Sequence, residues 1–491
     1  AVCFDCRNNS DVFAREAACV MAGNGIPVRL FESLRPTPEL SFAVRELGCI
    51  AGINITASHN PPEYNGYKVY WEDGAQFTPP HDKGVTEEVL AIEDLSTVKT
   101  TDEASATAAG KYEVIGREID DKYIAQVKAQ VVNQKAIDEM QDQISIVYTP
   151  LHGTGNIPAR RVMKELGFTH VYVVPEQELP DGGFPTVSYP NPEAAEAFSL
   201  GLKLAGEKNA DLVLATDPDA DRLGVYVKDA GSGEYIPLTG NMSGSLLCEY
   251  VLSQKKAAGK IPEDGQVIKS IVSTNLIDAV AKEYGCELIE VLTGFKWIGQ
   301  QVLKNEKTGR GTYLFGMEES YGCLIGTYAR DKDAISATAA LCEAAAYYKQ
   351  KGMTLWDAMV AMYEKYGYYK DAVKSIGLSG IEGLAKIQSI METLRNNTPK
   401  EVGGYKVVSA RDYKLDTITD MATGEVKPTG LPSSNVLYYD LNDGAWICVR
   451  PSGTEPKIKF YYGIKGTSME DADAKAESLG AAVMAMVDKM M

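Results

Sequence analysis

Three aspartates alternate with other residues in Asp217-Pro218-Asp219-Ala220-Asp221-Arg222, directly after the apolar run Leu212-Val213-Leu214-Ala215. Carboxylates at i, i+2 and i+4 behind a strand converge at its C-terminal end, where α/β sheets bind ligands. Like charges that close raise one another's pKa unless a cation neutralises them. A hard divalent ion with oxygen ligands, Mg²⁺ before Ca²⁺, resolves the repulsion; a solvated acidic turn is the plainer alternative. An EF-hand is excluded, because its sixth position should be Gly and is Arg222, and its twelfth should be Glu and is Lys228.

Three other stretches carry chemistry. Thr56-Ala57-Ser58-His59-Asn60-Pro61 opens a turn-rich loop after the strand-like Gly52-Ile53-Asn54-Ile55. A hydroxyl on a rigid loop at a strand end suits a nucleophile, and equally an ordinary capping serine. Lys68, downstream, offers a cation to phosphate or caps the loop. In Gly316-Met317-Glu318-Glu319-Ser320-Tyr321-Gly322 the Glu and Ser side chains can hydrogen-bond neighbouring sugar hydroxyls. Behind it, Lys332 in Arg330-Asp331-Lys332-Asp333 becomes a general base if burial lowers its pKa, or belongs to a surface ion-pair network. Finally, Arg450-Pro451-Ser452-Gly453-Thr454-Glu455-Pro456-Lys457 sits between two strand-like runs. Arg, Lys, two hydroxyls and Gly-exposed N–H groups make an anion cradle, or a plain hairpin loop. Neither a Walker A loop nor a GxGxxG turn is present, so no nucleotide is implied.

These loops need α/β frames to hold them. A helix, a closing Gly and a β-branched run recur around Gly25, Gly167 and Gly285, the αβ half of a βαβ unit. Three such units more than about a hundred residues apart predict three similar α/β domains with mixed sheets. The last stretch, with strands at 436–439, 445–449 and 457–462, a turn at Asn442-Asp443-Gly444 and a closing helix over 469–491, predicts a smaller α+β domain. The expected domains are 1–135, 136–238, 239–370 and 371–491, arranged around a central cleft.

The bulk properties narrow the function. A net charge of −18 argues against nucleic-acid and anionic-membrane partners, so an anionic substrate must meet a local basic cluster. No run reaches about 18 apolar residues, and no signal-like pattern opens the chain. Nine scattered cysteines suit a reducing compartment, and the Cys3/Cys6 pair lacks a second pair at zinc spacing. The expectation is a soluble, cytoplasmic protein.

Taken together and in this order, the four stretches resemble the α-D-phosphohexomutase superfamily over the whole chain. TASHNPPEYNG resembles its phosphoserine loop, DPDADR its metal loop, GMEESYG its sugar-recognition loop and RPSGTEPK its phosphate-binding loop. Glu318-Glu319-Ser320-Tyr321-Gly322, Thr293-Gly294-Phe295-Lys296, Pro150-Leu151-His152-Gly153-Thr154-Gly155 and Arg330-Asp331-Lys332-Asp333 resemble the phosphoglucomutase and phosphopentomutase branch. Tyr321 and Cys323 depart from the phosphomannomutase pattern. Phe4 to Ser10 is similar to a stretch well inside the family's first domain. Family members carry an earlier Gly-rich segment with an arginine, so a segment upstream of Ala1 is expected.

The resemblance implies a cycle. Phosphorylated Ser58 passes its phosphoryl to a sugar monophosphate, the resulting sugar 1,6-bisphosphate turns end for end, and Ser58 recovers the other phosphoryl. Mg²⁺ is held by Asp217, Asp219, Asp221 and a phosphoserine oxygen. Arg450, Ser452, Gly453, Thr454 and Lys457 grip the idle phosphate, while Glu318, Ser320, Thr293 and Gly294 contact the sugar. Lys332 and His59 are candidates for moving the hydroxyl proton; Lys68 and Arg222 balance charge around phosphoserine. Sugar phosphates are the implied partners. Hexose is the expected substrate, pentose the alternative, and a non-catalytic relative the remaining reading.

Overall fold

The computed structural model describes residues 1–378, 380–452 and 456–490. The chain forms two compact units, Ala1–Ser270 with Ala281–Met359, and Ile271–Val280 with Val360–Met491. Within them lie three α/β sheets and a C-terminal α+β sheet.

The first sheet comprises β1 (Val2–Phe4), β2 (Val28–Phe31), β3 (Ala51–Ile55), β4 (Tyr67–Trp71) and β5 (Tyr112–Ile115), in the order β4-β3-β1-β2-β5. Only β4 is antiparallel to its neighbour. The accompanying helices are α1 (Ser10–Gly23), α2 (Thr37–Glu46), α3 (His81–Leu90), α4 (Glu103–Ala108), α5 (Arg117–Lys128) and α6 (Gln134–Met140). Ala14, Ala18 and Ala22 present the small face of α1 to Val2, Val28, Leu30 and Ile53, since i, i+4, i+8 positions share one side of a helix.

The second sheet repeats the plan with β6 (Ser145–Thr149), β7 (His170–Val173), β8 (Leu212–Thr216), β9 (Leu223–Lys228) and β10 (Tyr235–Leu238), ordered β10-β9-β8-β6-β7. The strands β7, β6 and β8 are parallel, and β9 turns back antiparallel. Its helices are α7 (Asn156–Leu166), α8 (Pro175–Glu178) and α9 (Ser199–Lys208). Gly167, at φ 111°, closes α7 in the left-handed region that glycine enters without penalty. The third sheet follows α10 (Gly240–Ala257). It holds β11 (Gly265–Ser270), β12 (Glu287–Val291), β13 (Thr312–Glu318) and β14 (Gly322–Leu324), with α11 (Leu276–Glu283) and α12 (Phe295–Thr308) between. Again β12, β11 and β13 are parallel and β14 reverses.

α13 (Ala334–Gln350) is buried from Ala334 through Ala346, so its alanine-rich sequence has small residues all round. After α14 (Leu355–Tyr366), the last sheet is antiparallel: β15 (Tyr368–Gly377), α15 (Gly380–Asn396), β16 (Glu401–Val402), β17 (Tyr405–Asp412), β18 (Thr417–Asp420), β19 (Val426–Lys427), β20 (Leu437–Leu441), β21 (Trp446–Pro451) and β22 (Lys457–Gly466). α16 (Met469–Asp488) closes the chain, its N-terminus capped by Ser468. Its core gathers Ile390, Leu394, Ile447, Phe460, Leu479 and Val483. Asn442-Asp443-Gly444 turns β20 into β21, with Asp443 at φ 60°. Among the described residues, no helix is long and apolar enough to cross a membrane.

One consequence of the repeated plan positions the chemistry. In each of the first three sheets a candidate loop is the connection at which the chain leaves a parallel strand and reverses into an antiparallel one: Ser58 between β3 and β4, Asp217–Arg222 between β8 and β9, Glu319–Tyr321 between β13 and β14.

Candidate active site

Ser58 is held in an unusual backbone conformation, φ 53°, which costs a non-glycine residue about 1 kcal/mol. Its own N–H donates to Thr56 Oγ1 at 2.9 Å, and Asn60 N–H donates to the Ala57 carbonyl at 3.1 Å. Gly66 leaves the room: a Cβ there would lie 2.5 Å from the Thr56 carbonyl oxygen. The turn aims Ser58 Oγ at the second sheet, where it donates to Asp217 Oδ2 at 2.9 Å. His59 Nδ1 lies 3.2 Å from the same Oγ. Burial, followed by the charge of Arg222, pushes the His59 imidazole down to about 2, so the ring is neutral.

The three aspartates are buried together, at 0, 0 and 2% exposure for Asp217, Asp219 and Asp221. Asp217 Oδ1 ties its own loop by accepting the N–H groups of Asp221 and Arg222 at 3.1 and 3.0 Å. Asp219 Oδ2 accepts from Thr37 Oγ1 at 2.8 Å and from Lys68 Nζ at 2.9 Å. Asp221 Oδ2 pairs with Lys332 Nζ at 3.1 Å. The loop is pinned from behind, Thr154 donating through both N–H and Oγ1 to the Pro218 carbonyl at 2.8 and 2.9 Å. That approach needs Gly153, whose Cβ would fall 2.5 Å from Pro218 Cα.

Burial, then the charges of Asp219 and Asp221, push the Asp217 carboxyl well above its usual range, and burial raises Asp221 as well. At Asp219 burial opposes ionisation, but Lys68 and the hydrogen bonds from Asp217 and Thr37 outweigh it and hold the group low. Oδ1 of Asp219 and Oδ1 of Asp221 are buried without a hydrogen-bond partner. One carboxylate oxygen from each of the three residues lies within 4.8 Å of the others. Orphaned buried acceptors and mutually repelling carboxylates are the conditions that a hard divalent cation satisfies. The triplet therefore fits a metal ion, with Ser58 Oγ beside it.

Glu318 ends β13 and is 5% exposed; its Oε1 accepts the N–H of Gly294 at 2.6 Å. Gly294, at φ 117°, precedes α12 at its N-cap position, and the neighbouring Thr293 Oγ1 is buried without a hydrogen-bond partner. Arg222 Nη1 links two loops, donating to the Ser320 carbonyl at 3.2 Å and to Glu193 Oε1 at 3.1 Å.

Lys332 corrects an expectation. Its ammonium is buried, which by itself lowers a lysine pKa, but Asp221 and Asp331, at 3.1 and 3.0 Å, win and raise it. It is held as a cation rather than freed as a base. Lys68 is raised in the same way, Asp219 and Asp221 outweighing burial.

The first compact unit thus brings together Ser58, His59, Lys68, Asp217, Asp219, Asp221, Arg222, Glu318, Ser320, Lys332, Thr293 and Gly294. Arg450, Ser452 and Lys457 belong to the second: Arg450 stands in β21 opposite Lys459, and Ser452 N–H donates to the Lys457 carbonyl at 2.7 Å, closing the β21–β22 hairpin. Gly453 and Thr454 lie outside the described residues. Several contributors carried no sequence signal of their own. Thr37 at the start of α2 and Asn54 in β3 form a buried chain to Asp219, with Asn54 Nδ2 donating to Thr37 Oγ1 at 2.8 Å. Tyr70 and Gln76 hold Asp331 Oδ2 at 3.0 and 3.1 Å. A polar residue in a strand or at a helix start looks like a core or capping residue until its partner is known.

The sequence matches phosphoglucomutase/phosphomannomutase alpha/beta/alpha domain I over residues 1–96, domain II over 121–233, domain III over 239–366 and the C-terminal domain over 389–478. It is 36% identical to a phosphoglucomutase of Staphylococcus saprophyticus, over 97% of this chain and 84% of that protein. It is 37% identical to a probable phosphomannomutase of Haemophilus influenzae, over 96% of this chain and 89% of that protein. The fold matches a putative phosphomannomutase from Thermus thermophilus with a TM-score of 0.71 at 22% identity, covering 99% and 90% of the two chains. Parafusin, a phosphoglucomutase from Paramecium in its open form, matches at 0.71 and 18% identity, covering 100% and 87%. The chain belongs to the phosphoglucomutase/phosphomannomutase family.

Proposed function

We propose that this protein is a phosphosugar mutase, an intramolecular phosphotransferase that interconverts glucose 1-phosphate and glucose 6-phosphate through a phosphorylated Ser58. The observation that carries the reading is Ser58 Oγ at 2.9 Å from Asp217 Oδ2, inside a buried carboxylate triplet. A hydroxyl so placed is poised to exchange a phosphoryl group beside a metal ion. Mg²⁺ on Asp217, Asp219 and Asp221, when bound, supplies charge neutralisation of the transferring group.

In the first half-reaction the bond from phosphorus to Ser58 Oγ breaks, and a bond to the sugar hydroxyl oxygen forms. The hydroxyl proton ends on Ser58 Oγ, so atoms and charge balance. The product is a sugar bisphosphate, and the second half-reaction runs the exchange in reverse at its other end: the bond from phosphorus to the sugar oxygen breaks, a bond to Ser58 Oγ forms, and the proton returns to the sugar oxygen. Neutral His59, beside Oγ, is the group placed to relay that proton. Lys68 and Lys332, held as ammonium ions, and Arg222 offset phosphoryl charge. Glu318, Ser320, Thr293 and Gly294 serve the sugar. Arg450, Ser452, Gly453, Thr454 and Lys457 supply donors for the idle phosphate, whose binding orients the reacting end. All nine cysteines are free, which supports the cytoplasm as the protein's location.

Mass spectrometry of the purified protein should find one phosphate on the Ser58 peptide, and Ser58→Ala should abolish turnover. Full activity in that variant would sink the reading. A substrate panel with Mg²⁺ and glucose 1,6-bisphosphate should give a higher kcat/KM for glucose 1-phosphate than for ribose 1-phosphate. The reverse order would move the assignment to the pentose reaction, and no turnover on any sugar phosphate would leave the non-catalytic relative.

A further inference from the structure

A single buried side chain organises the strained loop that carries Ser58. Arg7 follows β1 and is 3% exposed. Its Nη1 donates to the carbonyls of Pro61 at 2.8 Å and Tyr64 at 2.9 Å; its Nη2 donates to the carbonyl of Ser58 at 2.6 Å and to that of Asn60. Both terminal nitrogens are thus committed, and to nothing but the backbone of one seven-residue segment, 58–64.

The guanidinium is itself fixed on its other sides. Asp5 Oδ2 lies 3.4 Å from Nε, both side chains fully buried, and Asp5 Oδ1 accepts from Arg7 N–H and Ser10 Oγ at 2.9 Å each. Phe184, from the second sheet's connections, covers the cation with its ring centroid 5.1 Å from Cζ. The cover is close enough that a Cβ on Gly182 would lie 2.5 Å from Asn8 N.

Four carbonyl oxygens turned inward on a surface loop are normally the business of water. Here they converge on a planar fork whose donors are spaced rigidly, which a lysine ammonium cannot reproduce. The backbone so held includes Ser58 itself, at φ 53°, and the carbonyl of Ser58 is one of the four acceptors.

We propose that Arg7 is a positioning residue: a clip that holds loop 58–64 in its strained turn and so keeps Ser58 Oγ in line with the carboxylate triplet. It acts on the phosphoryl carrier through the backbone and touches neither sugar nor metal. The inference rests on the reading of Ser58 as that carrier.

Two measurements on the full-length protein test it, with Arg7→Lys as the variant that keeps the charge and Arg7→Ala as the deletion. In amide hydrogen exchange, the peptide spanning 57–66 should exchange faster by about tenfold or more in Arg7→Lys, while peptides from the other sheets keep their wild-type rates. Unchanged protection of 57–66 overturns the clip, whether or not the protein is a mutase. In steady-state kinetics Arg7→Lys should lower kcat by about 100-fold, the penalty of an ångström-scale misplacement, with KM and the Mg²⁺ activation midpoint within about twofold of wild type. Methylguanidinium should restore part of the lost kcat in Arg7→Ala, where equal methylammonium does not. A kcat within about threefold of wild type, a loss carried by KM alone, or equal rescue by both cations overturns the proposal. Wild-type protein without mutase activity would fail the functional reading instead, leaving the exchange measurement to decide the clip.

Discussion

Asp219 shows how much of a candidate metal ligand's behaviour is set by the residues packed behind it. Its Oδ2 is held by Thr37 and Lys68, while its Oδ1 is left without a partner. Thr37→Val is nearly isosteric but removes a hydrogen bond to a charged oxygen and strands Asn54 Nδ2, a loss of about 1.5–3 kcal/mol. Partners behind a ligand are worth about 10- to 100-fold in metal affinity. The midpoint for Mg²⁺ activation should therefore rise by about tenfold or more in Thr37→Val, while chelation followed by excess Mg²⁺ restores full activity to wild type. An unshifted midpoint would show that the hydroxyl is dispensable. The convergence of the three aspartates was legible, because carboxylates at alternate positions directly behind an apolar strand share one end of the sheet. Thr37 was not, since its partner stands 182 positions away. The charge of Lys332 was not legible for a related reason: the direction of its pKa depends on Asp221 and Asp331, which outweigh burial.

At the scale of elements, the repeated sheet plan delivers three loops from one kind of connection, and α13 packs against β9 and β14, the strands that follow two of them. Asp333 caps α13 by accepting from the N–H groups of Ile335 and Ser336, and also takes the hydroxyls of Tyr123 and Tyr328. That fixes the end of the segment carrying Lys332. Further along α13, the buried Glu343 Oε1 accepts the N–H groups of Val132 and Asn133 at 3.1 and 2.5 Å and the Tyr250 hydroxyl at 2.9 Å. Burial pushes its carboxyl from 4.5 up to about 7. A raised carboxyl contributes nothing unfavourable below pH 4.5, where folded and unfolded chains are both protonated. As pH climbs from 4.5 to about 7 the unfolded chain ionises first and stability falls, by about 3 kcal/mol when complete. Glu343→Gln keeps an acceptor for the two N–H groups and removes the titration. Its melting temperature should drop less than that of wild type between about pH 5 and pH 8; parallel drops would contradict the assignment. The helix–glycine–strand pattern made these elements readable in outline, because amphipathic spacing and a left-handed closing glycine are local properties. That the loops all fall at strand reversals was invisible, since strand direction is a property of pairing.

For the whole molecule, the chain divides into two compact units. Ser58 and the carboxylate triplet lie in the first, Arg450, Ser452 and Lys457 in the second. If the second supplies the grip on the idle phosphate, Arg450→Ala should raise KM for glucose 1-phosphate by about 10- to 100-fold, the worth of a charge-assisted hydrogen bond. The same variant should leave the Mg²⁺ midpoint where it is, and a shift of that midpoint with KM unchanged would contradict the division. Against a net charge of −18, Lys68, Lys332 and Arg222 gather a local basic cluster around the carboxylate triplet, as an anionic substrate would require of an acidic protein.

By itself the sequence determined the reaction class and the α/β character, and it nominated the residues proposed for the chemistry. Those are matters of residue type and short-range spacing, and four loops in one order leave little freedom. Only the tertiary structure decided that Lys332 is a cation, that Thr37 and Asn54 stand behind Asp219, and that Arg7 clasps the loop of Ser58. Each of those depends on groups far apart in the chain, and burial makes their pairing, rather than their identity, the source of their energy.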